Sequence, residues 1–357
     1  MNGNYDYTNN QYTEPDYYTL YTEKKTREAS KVFSRCHLAL FLYLIIPIAV
    51  VLISEIILIG VMGRDSAYKL LETNIYINWL LSFAPSYLIG FPIFFIITRK
   101  MKTLPIRKSK MRASEFFALF LIAEVGMTVG NLIGNIFSSF FGTMMDKEVT
   151  NAIDELVTAA PIWLIVLVVV IIGPIFEELI FRKLMMDRFS RYGSGVAIVV
   201  TSIAFGLFHG NFYQFFYALA LGFILGYIYS KTRNVIYPIA MHMIINFLGS
   251  VATLPVASRI DEYYSMMQNI IDGIEVDMAK FLQSSMIVGS YSIIQYTILG
   301  AGIAVLIRYI KNKRFRVNAA FEYQIEKERV ARTVLLNPGT ILFLSLAFVL
   351  FVANIAV

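Results

Sequence analysis

Long apolar runs separated by short polar breaks dominate this chain. Runs of about 20 apolar residues are long enough to cross a bilayer as helices. The pattern predicts spans at about 38–61, 75–97, 115–141, 161–188, 194–209, 212–230, 235–254, 286–310 and 339–356. That is an all-α fold, a polytopic transmembrane helix bundle with about 8–9 spans. The count falls to eight if the third or last run lies in the interface. Gly126, Gly130 and Gly134 recur at four-residue spacing, as do Gly222 and Gly226. Each set predicts a face on which another helix packs closely.

The breaks between runs carry charge of alternating sign. Residues 99–112 hold seven basic residues and no acid. Lys183, Arg188 and Arg191 end the fourth run, Lys231 and Arg233 follow the sixth, and Lys311, Lys313, Arg314 and Arg316 end the eighth. Asp146, Glu148, Asp154 and Glu155 follow the third run, and five acids lie within 257–280. Basic loops stay cytoplasmic, so the N-terminus is expected inside and the C-terminus outside. Four segments result: a disordered cytoplasmic tail over 1–32, N-terminal membrane helices over 33–160, a catalytic membrane core over 161–254, and an external loop with C-terminal helices over 255–357.

Composition narrows the class. Hydrophobic residues make up 57% of the 357 and charged residues only 16%, too apolar for a soluble domain. The net charge of +6 sits beside the spans, which suits a lipid bilayer rather than nucleic acid. The single cysteine, Cys36, excludes an internal disulfide and a cysteine-rich metal site. It reads as inert, a lipidated thiol being the alternative. His37 reads as an interfacial residue.

Against this background the segment 173–191 stands out, because an apolar helix carries adjacent acids, Glu177 and Glu178. Charge inside a bilayer costs about 2.5–3.5 kcal/mol even on insertion scales, so it marks a candidate site. Arg182 follows Glu178 by four residues and can pair with it. Two of the three histidines fall inside spans: His209, four residues after Phe205, and His242, four residues before Asn246. At about 1.5 Å per residue, Glu177 lies roughly 21 Å from the basic boundary, His209 roughly 22 Å, and His242 and Asn246 roughly 10 and 16 Å. Helical neighbours could bring these groups into one layer.

The residue types suit hydrolysis by activated water. A buried carboxylate serves as general base, an imidazole helps to hold the water, and a second imidazole with an amide donates to an oxyanion. Glu178 and Arg182 then support the site, and Phe205 reads as core. No cofactor is required. A zinc shell of Glu and two His is the rival, although no HExxH motif occurs. An ion-coupled transporter could use the same residues, but no inverted repeat is evident.

EExxxR (Glu177, Glu178, Arg182), FxxxH (Phe205, His209) and HxxxN (His242, Asn246), in that order on successive spans, resemble the CAAX protease and bacteriocin-processing family, also called the Abi family. The resemblance covers about 173–246. It implies an intramembrane glutamic endopeptidase in which Glu177, helped by His209, activates water. His242 and Asn246 stabilise the oxyanion, while Glu178 and Arg182 support the site. The implied partner is a peptide or protein substrate at the membrane. Family members process prenylated proteins or mature peptides, and others are associated with bacteriocin self-immunity. The resemblance therefore leaves open a non-catalytic immunity or scaffold protein. The composition suggests a bacterial cell membrane.

Overall fold

A computed structural model describes residues 17–104, 107–146, 159–317 and 321–356. Among the described residues every regular element is helical. Twelve helices are used below: α1 (Tyr17–Met62), α2 (Arg64–Thr73), α3 (Ile75–Thr98), α4 (Ala113–Met145), α5 (Ile162–Tyr192), α6 (Ser194–Phe208), α7 (Phe212–Thr232), α8 (Ile236–Asn246), α9 (Leu254–Ile271), α10 (Met278–Lys311), α11 (Lys327–Leu335) and α12 (Pro338–Ala356). Helix α8 runs on through a wide turn, Phe247–Val251, towards α9. Eight described helical stretches are long and apolar enough to cross a membrane, and the 15-residue α6 is a shorter ninth apolar helix. The chain is a multi-pass integral membrane protein. The expected acids Glu148, Asp154 and Glu155 lie outside the described residues.

Glycine faces set the closest crossings. A Cβ at Gly130 would stand 2.6 Å from the backbone of Phe216 and Tyr217, and one at Gly134 would stand 2.6 Å from the carbonyl of Phe212. The four-residue glycine row of α4 thus presses backbone to backbone on α7. On its other side α7 meets α6, where Gly222 faces Ser202 and Gly226 faces Ile198. Helices α4, α6 and α7 form a tight slab, with α10 against α4 and α12 against α1.

The basic segments gather at one end of the bundle. The Arg188 guanidinium donates to the carbonyl of Thr98 at 2.9 and 2.7 Å. Arg233 donates to Ser190 at 3.0 Å. Ser109 donates its amide to the Thr232 carbonyl at 2.8 Å, fastening the basic connection to α7. Tyr227 donates to the Arg314 carbonyl at 3.0 Å. Loops far apart in sequence therefore share one rim.

Two expectations are corrected. Of the expected tail over 1–32, residues 1–16 lie outside the described residues, and 17–32 are not disordered but form the first turns of α1. Thr22, Ala29 and Cys36 recur every seven residues, Phe33 lies four residues after Ala29 on the same face, and all four are buried. The Phe33 ring lies 4.4 Å from Phe189, and Lys25 lies 3.4 Å from Glu322. Packing against the end of α5 and the segment that precedes α11 holds a polar helix that composition alone does not stabilise. His37 is likewise not a surface residue facing lipid headgroups. It is buried, its Nδ1 is 2.7 Å from Thr340 Oγ1, and its ring stacks on Phe343 at 5.7 Å. Cys36 is buried too, which removes it as an accessible thiol.

Candidate active site

Helix α5 carries both acids, and its winding decides where they point. It opens into wide π-helical turns at Val166–Ile172, before the acids, and at Leu179–Met186, after them. Such turns recur at functional sites because they re-aim side chains off the α-helical register. Between them, Gly173–Glu178 is a short regular stretch that begins with Gly173 and Pro174.

The two acids sit in opposite environments. Glu178 is fully buried, with Oε2 3.0 Å from Nε of the equally buried Arg182. That contact lies off the hydrogen-bond axis, so its attraction is Coulombic. The guanidinium is held in addition by the Gly222 carbonyl at 3.4 Å and by the face of Phe205 at 4.9 Å. Glu177 is 18% exposed and accepts no hydrogen bond among the described residues. One carboxylate is committed, while its neighbour has only the longer approach of His242.

His242 joins them. Its Nδ1 is 3.1 Å from Glu178 Oε1, and its Nε2 is 3.8 Å from Glu177 Oε2. An ionised carboxylate only accepts, so Nδ1 carries a proton and donates it to Glu178. The other face of the ring is then turned to Glu177. The sequence pairs Glu178 with Arg182 alone; the structure makes it the anchor of His242 as well. The depth estimate missed this contact because it takes no account of tilt.

His209 closes α6. Its Nδ1 is 2.8 Å from the carbonyl of Phe205, which only accepts, so Nδ1 donates and Nε2 is left as the acceptor. Gly210 at φ 69° and Asn211, which caps α7 by accepting from Gln214 N at 2.9 Å, make the tight turn behind it. Phe205 is buried, and its ring is met edge-on by His209 at 5.1 Å and by His242 at 5.7 Å. It is core, as the sequence suggests, and it also sets the spacing of three polar partners. Asn246 is half-buried and donates to the Val169 carbonyl at 2.9 Å, which ties α8 to the first wide turn of α5. The amide keeps its second N–H.

Charge counting clarifies what the cluster can do. Buried groups favour a neutral sum. With Glu178 negative and Arg182 positive, Glu177 and His242 balance when they share one proton between them. The site can thus exchange a proton between carboxylate and imidazole without changing its total charge. Among the described residues no group of three or more His, Cys, Asp and Glu side chains is arranged to hold a metal ion.

Two phenols near Glu177 escape sequence reasoning. A Cβ on Gly173 would lie 3.6 Å from Tyr87 Oη and 3.8 Å from Glu177 Oε1, so the two groups share one side of that glycine. Tyr87 stands on a π-helical turn of α3, Ser86–Gly90, and its ring lies 4.8 Å from Phe176. Tyr43 of α1 is buried, and its ring packs on Gly90. The signal for Tyr87 is the wide turn, which no residue pattern announces.

Comparison with known proteins agrees with this architecture. Residues 159–248 match the family described as Type II CAAX prenyl endopeptidase Rce1-like. The segment contains all seven residues of the site. A Bacillus subtilis protein described as "Putative membrane peptidase YdiL" is 31% identical over 136 residues, 38% of this chain and 55% of that protein. The Lactococcus lactis UPF0177 protein YbdI is 26% identical over 139 residues, 38% of this chain and 75% of that protein. The chain therefore spans about half of the length of YdiL. No solved structure matches. Residues 159–248 are thus similar to an Rce1-like segment, in keeping with a resemblance to the CAAX protease and bacteriocin-processing family.

Proposed function

We propose that this protein is an intramembrane endopeptidase that hydrolyses a peptide bond with water activated by Glu177. The observation that carries the reading is the asymmetry of the adjacent acids. Glu178 is locked by Arg182 and His242, while Glu177 is partly accessible and free to accept a proton. In the proposed reaction Glu177 takes a proton from water, and Nε2 of His209 holds the same water. The water oxygen adds to the carbonyl carbon. The oxyanion is met by the second N–H of Asn246 and by Nε2 of His242, which holds the shared proton while Glu177 acts as the base. The C–N bond then breaks, and the proton on Glu177 passes to the leaving amine. No covalent enzyme intermediate is needed.

The substrate is proposed to be a membrane-associated peptide or protein that enters from the rim carrying the basic loops. That rim is proposed to be cytoplasmic, with the N-terminus on the same side, in a bacterial cell membrane.

The test is cleavage of a quenched peptide library by protein purified in detergent, wild type beside Glu177→Gln, with and without a strong chelator. Turnover that is lost in the variant and indifferent to chelator supports the proposal. Turnover that chelator removes and zinc restores assigns the residues to a metal. Equal turnover in both proteins overturns the role of Glu177.

A further inference from the structure

At the basic rim, away from the two acids, the ends of α4, α7 and α10 border an open cleft of about 710 Å³. Clefts of roughly 300–1,000 Å³ hold small ligands. Six cations line it: Arg112, Lys231, Arg308, Lys313, Arg314 and Arg316. Glu115 is the acid on its wall, and Lys231 is already paired with it. The other five cations have no acidic partner among the described residues.

A run of basic residues after a span is ordinarily a topology signal, solvated and loosely placed. Here the backbone is built to aim it. Lys313 takes φ 49°, a left-handed conformation uncommon for a residue with a side chain. It turns the chain back, so that the amide of Arg314 donates to the Tyr309 carbonyl at 2.9 Å and the Arg314 carbonyl accepts from Tyr227 at 3.0 Å. Phe315 wedges between the two phenols, 5.5 Å from the Tyr227 ring and 5.4 Å from that of Tyr309. Both tyrosines are buried. The Arg314 guanidinium lies 5.6 Å above the Tyr309 ring. The segment is folded back and pinned, and its charges face the cleft together with Arg112 and Arg308.

We propose that this cleft binds a phosphate group, as an anionic phospholipid presents it at the membrane surface. Guanidinium groups match phosphate oxygens with paired donors, and buried tyrosines below them suit the boundary between headgroup and acyl chain. The position at helix ends, level with the other basic loops, places the site at headgroup depth.

The experiment uses the full chain in neutral detergent. It is titrated with phosphatidylglycerol, phosphatidylcholine or inorganic phosphate, and adducts are read by native mass spectrometry beside thermal stability. Three proteins are compared with wild type. The first combines Arg308→Gln, Arg314→Gln and Arg316→Gln. The second removes the same charge elsewhere, with Lys24→Gln, Lys31→Gln and Lys100→Gln, none of which lines the site. The third, Val305→Phe, narrows the cleft without changing charge. Wild type is expected to retain phosphatidylglycerol and not phosphatidylcholine. The first variant should bind it at least about tenfold more weakly, the loss of one charge-assisted contact or more. The second should bind within about twofold of wild type, since distant charges are screened. Saturable binding of inorganic phosphate without lipid preference, lost in the first variant, supports the same site with a free ligand. If the first variant does not fold, weakened binding by Val305→Phe carries the test. Equal losses in the first and second variants, or no binding by wild type, would overturn the proposal.

Discussion

The imidazole Nδ1 of His242 lies 3.1 Å from Oε1 of Glu178, which makes the second acid of the pair the anchor of a histidine on another helix. Glu178→Gln therefore does two things. It strands the Arg182 charge, and it puts an amide where an ionised acceptor fixed the tautomer of His242. Activity on a cleaved peptide is expected to fall about a hundredfold, the scale of a misplaced catalytic group.

Arg182→Met should unfold the bundle more readily without touching Glu177. A buried carboxylate left unpaired costs about 3–5 kcal/mol. The double variant Arg182→Met with Glu178→Met should recover much of that loss, because no lone charge remains. Unfolding in mixed micelles measures both single variants, Arg182→Met and Glu178→Met, beside the double. Additive losses would place the two residues outside a common pair.

The order of spans, the gathering of basic loops and the identity of the acids and histidines were all legible in the residue pattern. Hydrophobic length and loop charge are local properties, and charge inside a span is conspicuous. The partnership of Glu178 with His242 was hidden because it depends on tilt and on wide turns in α5, which carry no residue signature. The helix through 17–32 was missed because its buried stripe, Thr22, Ala29 and Phe33, is sparse and set among charged residues. Tyr87 and Tyr43 were invisible as site residues for the same reason as the wide turns: apolar helices contain many tyrosines, and only their aim distinguishes these two.

Gly173→Ala probes that neighbourhood. The new methyl would fall 3.2 Å from the Val168 carbonyl and between Tyr87 and Glu177. Stability should change by less than about 1.5 kcal/mol, as for other small volume changes. Turnover should drop about tenfold or more, because a misplaced group near the reacting water is costly. Melting temperature and kcat, measured on the same preparation, separate the two effects.

Gly130→Leu tests the helix crossing. With the α7 backbone 2.6 Å from the position of a Cβ, no rotamer relieves the clash. A loss of about 1–3 kcal/mol or more is expected. Gly60→Leu, where a Cβ meets nothing within 4 Å, is the matched control and should be near neutral.

Glu322 ties the segment before α11 to α5 and α1, lying 2.6 Å from Arg191 and 3.4 Å from Lys25. Its hydrogen bond from Arg191 holds its carboxyl below the ordinary 4.5. A lowered folded value stabilises the clamp fully above that ordinary value, and the contribution is lost as pH falls through the folded one. The carboxylate is well exposed, so the effect is small and local. Protection from hydrogen exchange at residues 321–326, taken relative to the intrinsic rate at each pH, should fall in wild type as pH drops below the ordinary carboxyl range. In Glu322→Gln it should be low at every pH.

In the proposed reaction, a proton exchanged between Glu177 and His242 has a consequence for energetics across the membrane. It travels no more than the 3.8 Å between Nε2 and Oε2, against a hydrocarbon thickness of about 30 Å. A charge crossing the whole bilayer gains about 2.3 kcal/mol per 100 mV, so this step gains at most about 0.3. The proposed chemistry is thus electrically almost silent. A cell could depolarise its membrane completely and leave the proton step at nearly the same rate.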